Sequence, residues 1–178
     1  MKNFINNILR RMIGYQLVKF DSAPYTFRKS LYAFLEQQSP HGKILDIGSA
    51  RNNYPKERLG KENVTTLDLE PPADVIGNVM ALPFADNTFD CVICLETLEH
   101  VEDPRKALIE IHRVLVPGGK FIGSAPFAYE LHGEEYGDYW RFTRQGWENL
   151  LTHFKEVSIT PFAGKESAPG WYFVTARK

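Results

Sequence analysis

The chain of 178 residues is long enough for one domain with a sizeable core, and 43% apolar and 24% charged residues are ordinary for a globular protein. A formal net charge of −1 excludes a global field that would attract nucleic acid or an acidic surface, so no nucleic-acid partner is expected. No apolar run reaches the length of a membrane span, and Asn and Arg interrupt the N-terminal apolar residues, so no signal peptide is evident and a cytoplasmic location is expected.

The first twenty residues predict a basic amphipathic helix, because they carry lysines and arginines but no acid, and their apolar residues recur at helical spacing. Those apolar residues are Phe4, Ile5, Ile8, Leu9, Met12 and Ile13. Such a helix can contact a membrane surface, but the favoured interpretation is a cap that packs on the domain or on a partner subunit. A second helix with Leu31 and Leu35 on its buried face ends at Ser39-Pro40, so residues 1–42 are predicted to form a helical cap.

Two short apolar strands are predicted next, and each ends near an acid. Residues 44–49, Ile-Leu-Asp-Ile-Gly-Ser, suit a strand buried in a parallel sheet, and a second strand from Val64 to Leu67 ends at Asp68. Asp68 follows Gly48 by 20 positions (68 − 48 = 20). A strand, a glycine turn and an acid about 20 residues later are the layout of a nucleotide-type site, in which the acid accepts hydrogen bonds from ribose hydroxyls.

The next stretch predicts a sheet edge that is shorter than usual. Residues 69–74 separate Asp68 from the apolar pair Val75-Ile76, and this is too few for a helical crossover. Cys91 to Leu95 is the most clearly buried strand. Its two cysteines are predicted to be buried packing thiols, since positions three apart in a strand point to opposite faces.

The second half of the chain predicts two helices and three strands. Asp103-Pro104 begins a helix that Pro117-Gly118-Gly119 stops, and Lys120 to Ser124 returns as a strand. Thr143 caps a last helix, and residues 157–160 and 171–175 are closing strands joined through Gly164 and Pro169-Gly170. The strand ends at residues 48–50, 96–98 and 125–127 are expected to converge on one edge, where ligands bind in open α/β sheets.

Several ordered motifs together resemble a known family. These are ILDIG from Ile44, NVMALPFADNTFDCVICLETLEHV from Asn78, and RVLVPGG from Arg113. The series resembles the class I S-adenosylmethionine (SAM)-dependent methyltransferases, specifically the type-11 group. The resemblance implies a Rossmann-like α/β sheet with helices on both faces, a SAM-binding domain over residues 43–178, and SAM as the cofactor. Most members have a helix where residues 69–74 stand here, so the sheet is expected to be abbreviated near strands 2 and 3.

The resemblance also implies which residues hold the cofactor. The predicted cofactor-binding residues are Asp46, Gly48, Ser49, Ala50, Asp68, Leu69, Asn78, Val79, Leu95 and Glu96. The first loop would hold the methionine end, Asp68 the ribose, and Asn78 and Val79 the adenine. The family usually has further glycines after Gly48, whereas this chain has Ala50 and Asn52 near those places, and Ala adopts positive φ poorly.

The acceptor side is predicted in the aromatic and ionisable stretch from Tyr129 to Phe142, a part of which also resembles type-11 methyltransferases. His132 is the first candidate for a general base because its ordinary pKa lies near neutrality, and Asp138 is a weaker candidate, as is Glu135. Tyr139, Trp140 and Arg141 are predicted to shape the substrate pocket. No metal ion is expected, because a set drawn from His132, Glu134, Glu135 and Asp138 has no settled ligand spacing.

The favoured function is transfer of a methyl group from SAM to an oxygen or nitrogen atom of a small-molecule or glycan acceptor. One alternative is a nicotinamide-dependent reductase on a similar sheet, which the missing G-x-G-x-x-G pattern disfavours. Another is a methyltransferase-like subunit that binds a partner and has lost turnover. The sequence determines neither the acceptor nor the oligomeric state.

Overall fold

A computed structural model describes residues 23–48, 54–60, 62–133, 136–165 and 167–178. The predicted helix of residues 1–20 lies outside these ranges, as do Ser49, Ala50, Glu134 and Glu135. By its contacts the chain divides into a unit of residues 1–30 and a unit of residues 31–178, and the second unit contains the whole sheet. The predicted boundary between residues 42 and 43 stays a prediction.

Helices and strands alternate through most of the described chain, as in α/β proteins. The helices are α1 (Ala23–Gln37), α2 (Tyr54–Leu59), α3 (Pro104–Val114) and α4 (Arg144–Leu150), and a 3₁₀ turn covers Leu98–His100. The strands are β1 (Ile44–Ile47), β2 (Val64–Asp68), β3 (Val75–Ile76), β4 (Phe89–Leu95), β5 (Leu115–Pro126), β6 (Lys155–Lys165) and β7 (Ala168–Arg177).

The seven strands form one sheet in the order β3-β2-β1-β4-β5-β7-β6. Strands β1 to β5 are parallel to one another. Strand β7 is antiparallel to both β5 and β6. The chain therefore starts in the middle of the sheet, runs outward to β3, returns, and runs outward again on the other side of β1. This reversal next to β1 is the place where open α/β sheets bind ligands, and the observed architecture confirms the predicted fold class.

Apolar side chains cover both faces of the sheet. Cys94 belongs to the larger cluster, on the face where α3 and α4 pack, while Cys91 lies in a smaller cluster with Leu35 of α1. Both thiols are buried and free, and burial raises the pKa of Cys91 to about 12. A raised pKa is the opposite of what a reactive thiol needs, so the prediction of packing cysteines on opposite faces is confirmed.

Helix α3 begins where the sequence predicts and ends slightly earlier. Asp103 is the N-cap, its carboxylate accepts a hydrogen bond from the Lys106 amide (3.0 Å), and Pro104 occupies the first turn. The strand β5 starts directly at Leu115 and includes the Pro117-Gly118-Gly119 segment that was predicted to separate helix from strand. The reason is that Leu115 already pairs with Phe89 of β4.

The last helix begins where the sequence predicts, and the two closing strands are present but longer than predicted. Thr143 caps α4 by accepting a hydrogen bond from the Gly146 amide (3.0 Å), and Trp147 is fully buried beneath it. Strands β6 and β7 turn close to residue 167, so Gly164 and Gly170 lie within the strands and not in the connection.

A carboxylate closes the short connection between β2 and β3. Asp74 accepts hydrogen bonds from the amide and the hydroxyl of Thr66, both 2.9 Å long, and it pairs with Lys56 of α2. These bonds hold residues 69–74 against β2, so that Leu67 pairs with Val75 without an intervening helix. The abbreviated sheet edge is confirmed, and β3 is only two residues long.

We expect Asp74→Ala to lower the free energy of unfolding by about 1–2 kcal/mol, through the two lost Thr66 hydrogen bonds more than the exposed Lys56 ion pair. The pKa of Asp74 is lowered from 3.8 to about 2, first by the Lys56 hydrogen bond and then by Thr66. A lowered folded-state pKa stabilises the protein above pH 3.8 and ceases to do so as pH falls toward 2. Urea unfolding of wild type and Asp74→Asn should therefore show a stability difference at pH 6 that shrinks across that window; a constant difference would contradict the assignment.

Candidate active site

The carboxyl ends of β2, β1, β4 and β5 meet at one edge of the sheet. Ile47 of β1 is in register with Leu67 of β2 and with Cys94 of β4, and Leu95 is in register with Ser124 of β5. The last residues of these neighbouring strands therefore lie within about two positions of one another along the same edge. The convergence predicted from the sequence is present for the residues that the structure describes.

Gly48 forms the turn at the end of β1. Its φ of +82° lies in the left-handed region that favours glycine, and its amide donates to the carbonyl of Leu67 (2.9 Å). A Cβ at this position would lie 2.5 Å from Cγ2 of Thr97 and closer still to its hydroxyl oxygen. The Thr97 hydroxyl lies within hydrogen-bonding distance of the carbonyls of Ile47 (3.2 Å) and Leu95 (3.0 Å), so it joins the ends of β1 and β4 in the space that Gly48 leaves.

The acids of the first two strands have different environments. Asp46 is only 1% exposed inside the sheet, within strand β1. Asp68 is half-buried at the end of β2, and its carboxylate accepts a hydrogen bond from the Leu69 amide (2.7 Å). The side chain of Leu69 is exposed. Asp68 and Leu69 thus border the edge at which Gly48 turns.

Two residues of α3 hold the loop that contains Asn78 and Val79. Glu110 accepts a hydrogen bond from the Leu82 amide (2.8 Å), and Arg113 donates to the carbonyls of Leu82 (3.0 Å) and Phe84 (2.8 Å). Arg113 also pairs with Glu110, and the pKa of Glu110 is lowered chiefly by this hydrogen bond. The exposed Asn78 and the buried Val79 therefore sit on a loop anchored to a helix, which explains why Arg113 is present in the RVLVPGG stretch.

Glu96 connects three strands at the same edge. One carboxylate oxygen accepts a hydrogen bond from the Ser124 hydroxyl (2.7 Å), and the other accepts from the indole N–H of Trp171 in β7 (2.9 Å). The backbone of Glu96 has φ of +51°, and its amide donates to the Ser124 carbonyl (3.1 Å). Both side-chain oxygens therefore bond to the protein, which fixes the carboxylate in place.

The side chain of Arg141 bonds to both ends of the segment from Tyr129 to Arg141. The guanidinium of Arg141 donates to both carboxylate oxygens of Asp138 (2.5 and 2.7 Å) and to the carbonyl of Glu130 (2.9 Å). Asp138 in turn accepts a hydrogen bond from the His132 amide (2.8 Å). The Arg141 side chain thus ties both ends of the segment together, and the Arg141 hydrogen bond holds the pKa of Asp138 well below its ordinary value.

The same segment is attached to the 3₁₀ turn after β4. The carbonyl of Glu99 accepts hydrogen bonds from the amides of Tyr139 (2.8 Å) and Trp140 (3.2 Å), and the Trp140 indole donates to the Val101 carbonyl (2.9 Å). Trp140 and Arg141 line a cleft of about 410 Å³ between the first turns of α3 and α4. Helices that follow parallel strands begin at the carboxyl edge of the sheet, so this cleft opens on the side where the strands end.

Three ionisable side chains come together beneath this segment. The carboxylate of Glu99 is fully buried, and its Oε1 lies 3.8 Å from Nε2 of His100 and 3.9 Å from Nε2 of His132. The two imidazole rings meet edge to face with centroids 4.8 Å apart. Burial, and next the charge of Glu96, raises the pKa of Glu99 well above its ordinary value, and burial lowers the pKa of His100.

The structure thus brings most predicted site residues to one edge. Gly48, Asp68 and Glu96 follow neighbouring strands, while His132, Asp138 and the aromatic residues lie on the segment after β5. The sequence analysis missed the supporting roles of Thr97, Ser124, Glu110, Arg113 and Trp171. The sequence around Glu110 and Arg113 predicts helix α3, but it does not predict the hydrogen bonds from this helix to the loop of Asn78 and Val79. No local pattern predicts that Trp171 bonds to Glu96.

Residues 45–123 match the family model of the methyltransferase domain, type 11. A demethylmenaquinone methyltransferase of Listeria monocytogenes is 38% identical over 85 residues, which are 48% of this chain and 35% of that protein. A 37.1 kDa uncharacterized protein in transposon Tn4556 of Streptomyces fradiae is 34% identical over 88 residues, which are 49% of this chain and 24% of that protein. The chain therefore spans about a quarter to a third of the length of these relatives.

A solved structure extends the likeness over nearly the whole chain. The 1,6-didemethyltoxoflavin-N1-methyltransferase of Burkholderia thailandensis, crystallised with 1,6-didemethyltoxoflavin and S-adenosylhomocysteine, has a TM-score of 0.65 and 23% identity, and the match covers 97% of this chain and 85% of that one. At this identity the likeness shows the fold, which is the Rossmann-like methyltransferase sheet. The matched residues 45–123 and this fold together are similar to the class I SAM-dependent methyltransferases of the type-11 group. The cofactor of this group is SAM, and the resemblance seen in the motifs is confirmed.

Within the described part of the chain, no helix combines the length and the apolar character needed to cross a membrane.

We expect Gly48→Ala to destabilise the fold by about 2–4 kcal/mol, because the new methyl group adds a clash with Thr97 to the strain of a positive φ. Gly118→Ala is the matched control, since Gly118 has φ of +77° but no atom within 4 Å of the added Cβ, and it should cost only about 1 kcal/mol. Urea unfolding of both variants measures the difference. Equal losses would show that the Thr97 contact is unimportant.

We expect Arg141→Lys to loosen residues 129–141 without unfolding the domain, because a lysine cannot bond both oxygens of Asp138 and the Glu130 carbonyl together. Hydrogen–deuterium exchange of this segment should become about tenfold faster or more. The exposed Arg177→Lys is the control, and it should leave the segment unchanged. Equal exchange rates in both variants would show that the hydrogen bonds of Arg141 do not hold this segment together.

Proposed function

We propose that this protein transfers the methyl group of SAM to an oxygen or nitrogen atom of a small-molecule acceptor held by residues 129–141. The observation that carries the proposal is the convergence of Gly48, Asp68 and Glu96 at one sheet edge, directly beside the aromatic and histidine-bearing segment. A cofactor edge and an acceptor surface are thereby neighbours. Methyl transfer requires this arrangement, because the nucleophile must approach the methyl carbon opposite the sulfur.

The described residues fit a nucleoside-containing cofactor. Gly48 turns without a side chain above the end of β1, and the carboxylate of Asp68 stands at the end of the adjacent strand, where a ribose can donate to it. The loop of Asn78 and Val79 is held rigidly by Glu110 and so can border the adenine. Asp46, Ser49, Ala50, Leu69 and Leu95 remain predicted contacts of the same site.

The exposed aromatic residues favour an acceptor with a flat or ring-shaped face. The side chains of Tyr139 and Trp140 are 51% and 43% exposed, and Tyr136 and Tyr129 are exposed on the same segment. Aromatic faces bind flat rings by stacking. The names of the Listeria and Burkholderia relatives indicate small ring compounds as their substrates, which supports the same class here. A sugar ring of a glycan remains within the proposal.

Bound SAM supplies an activated methyl group, so the residues of the chain mainly align the acceptor, which can contribute on the order of 7–11 kcal/mol. His132 is the candidate base for an acceptor whose nucleophile carries a proton. Its Nδ1 lies 3.1 Å from the Glu130 carbonyl, which fixes the proton there and leaves Nε2 as the acceptor. Asp138 is bound by Arg141 and has a lowered pKa, so we give it a positioning role through the His132 amide.

The proposal is tested first by cofactor binding. We expect SAM and S-adenosylhomocysteine to bind to the wild type and NADH not to bind, and we expect Asp68→Ala to weaken the affinity for the sulfur compounds about 10- to 100-fold through the lost charged hydrogen bonds. Glu70→Ala is the matched control, because Glu70 is an exposed acid two residues further along and should leave the affinity unchanged. Calorimetric titration measures each of these affinities.

Turnover is tested next with hydroxylated aromatic compounds, a quinone precursor and a free sugar as separate acceptors. S-adenosylhomocysteine production with one class identifies the acceptor. Cofactor binding without turnover on any class would support the partner-binding subunit, and an unaltered affinity in Asp68→Ala would contradict the proposed cofactor site.

A further inference from the structure

We propose that Glu99, His100 and His132 form a binding site for one divalent transition-metal ion such as Zn²⁺ or Fe²⁺. One ligand atom from each of these side chains lies within 4.8 Å of the others. This differs from the expectation of no metal ion, and from the acidic set weighed in the sequence analysis, because Glu99 and His100 come from the turn after β4. The proposal uses neither Glu134 nor Glu135, which lie outside the described residues.

The first argument is the state of the Glu99 carboxylate. It is completely buried, and among the residues that the structure describes no donor bonds either of its two oxygens. Burying polar atoms without a hydrogen-bond partner is unfavourable, so a buried carboxyl group that no protein donor bonds is a candidate metal ligand.

The second argument is the orientation of the two imidazoles. Nδ1 of His100 lies 2.5 Å from the Gly137 carbonyl, and Nδ1 of His132 lies 3.1 Å from the Glu130 carbonyl. A carbonyl only accepts, so Nδ1 donates in both rings, and both Nε2 atoms face Glu99. Metal-binding histidines almost always donate their second nitrogen in this way, which fixes the ring and raises its basicity.

The two separations from Glu99 fit a small ion after a slight contraction, and the third, between the two histidine nitrogens, lies within 4.8 Å. Bonds of about 2.0–2.1 Å in tetrahedral geometry place ligand atoms about 3.3 Å apart. The observed separations of 3.8 and 3.9 Å from Glu99 Oε1 are therefore about half an ångström too long for a bound ion. Two imidazoles and one carboxylate suit zinc or iron, whereas Mg²⁺ and Ca²⁺ prefer oxygen ligands throughout.

Neighbouring residues hold the cluster in place. Gly133 has φ of +79°, and a Cβ there would lie 2.8 Å from the His100 ring, so the segment packs tightly against that imidazole. The Glu99 carbonyl binds Tyr139 and Trp140, so one turn supplies two ligands and also anchors the segment that supplies the third. An ion at this point would join the acceptor segment to the end of β4.

Three protein ligands leave at least one position for another group. The role of that position rests on the proposed function, although binding of the ion does not. An acceptor hydroxyl bound there loses its proton to water at a lowered pKa, and its oxygen attacks the methyl carbon of SAM while the carbon–sulfur bond breaks to give S-adenosylhomocysteine. With the ion bound, Nε2 of His132 is a ligand and no longer a base.

The test is metal binding by the whole chain after treatment with a chelator. We expect calorimetry to give one Zn²⁺ per chain and Co²⁺ to give a visible absorption spectrum that reports nitrogen and oxygen ligands. Glu99→Gln and His132→Gln should each weaken binding about 100-fold or more, since even the loss of a supporting hydrogen bond costs 10- to 100-fold. The double variant His112→Gln/His153→Gln is the control, because it removes a histidine pair with centroids 6.5 Å apart elsewhere on the domain and should change affinity less than about twofold.

The melting temperature without metal shows whether each variant folds. Glu99→Gln should melt no lower than the wild type in chelator, because the carboxyl group has no hydrogen bond to a described residue that the substitution would remove, yet it should lose the stabilisation by Zn²⁺. A structural pairing of Glu99 with the histidines predicts the opposite, a lower melting temperature in chelator.

The proposal is overturned by the absence of Zn²⁺ and Co²⁺ binding, or by equal binding in the ligand variants and the control. S-adenosylhomocysteine affinity, measured on the same samples, separates the two proposals. Retained cofactor binding without metal binding rejects only the metal site, whereas metal binding without cofactor binding rejects only the proposed function.

Discussion

The carboxylate of Glu96 joins three strands at the edge where the parallel strands end. It joins the end of β4 to Ser124 of β5 and to Trp171 of β7, so three strands share one pair of oxygens. Hydrogen bonds to a charged acceptor in a part-buried position are among the stronger ones in proteins. The turn that follows Glu96 carries Thr97 and Glu99, and their positions depend on this anchor.

From that anchor the structure extends in two directions. Thr97 reaches back to β1 and occupies the space beside Gly48, which sets where the first cofactor loop begins. Glu99 reaches forward, and its carbonyl and side chain contact the acceptor segment. The proposed cofactor side and the proposed acceptor side are thus connected through four consecutive residues, 96–99. Such short connections keep two reactants in a fixed relative orientation.

Two acids in or beside the segment of residues 129–141, Asp138 and Glu99, have different environments. Arg141 takes both oxygens of Asp138, which removes that carboxylate from proton transfer and turns it into a fixed support for the His132 amide. Glu99 has the opposite environment, with burial and no donor among the described residues. Two acids in one small region therefore have pKa values displaced in opposite directions, an arrangement often found at functional sites.

The sequence by itself determined the parallel half of the sheet, because short apolar runs, the N-cap at Asp103 and the missing crossover between Asp68 and Val75 are local signals. Its motifs in a fixed order also indicated the resemblance to the type-11 methyltransferases, which the family match over residues 45–123 supports. The sequence could not show that Glu96 bonds to Trp171, 75 positions away, or that His132 faces Glu99. Those contacts join residues far apart in the chain, and only the pairing of strands and the packing of the segment after β5 decided them.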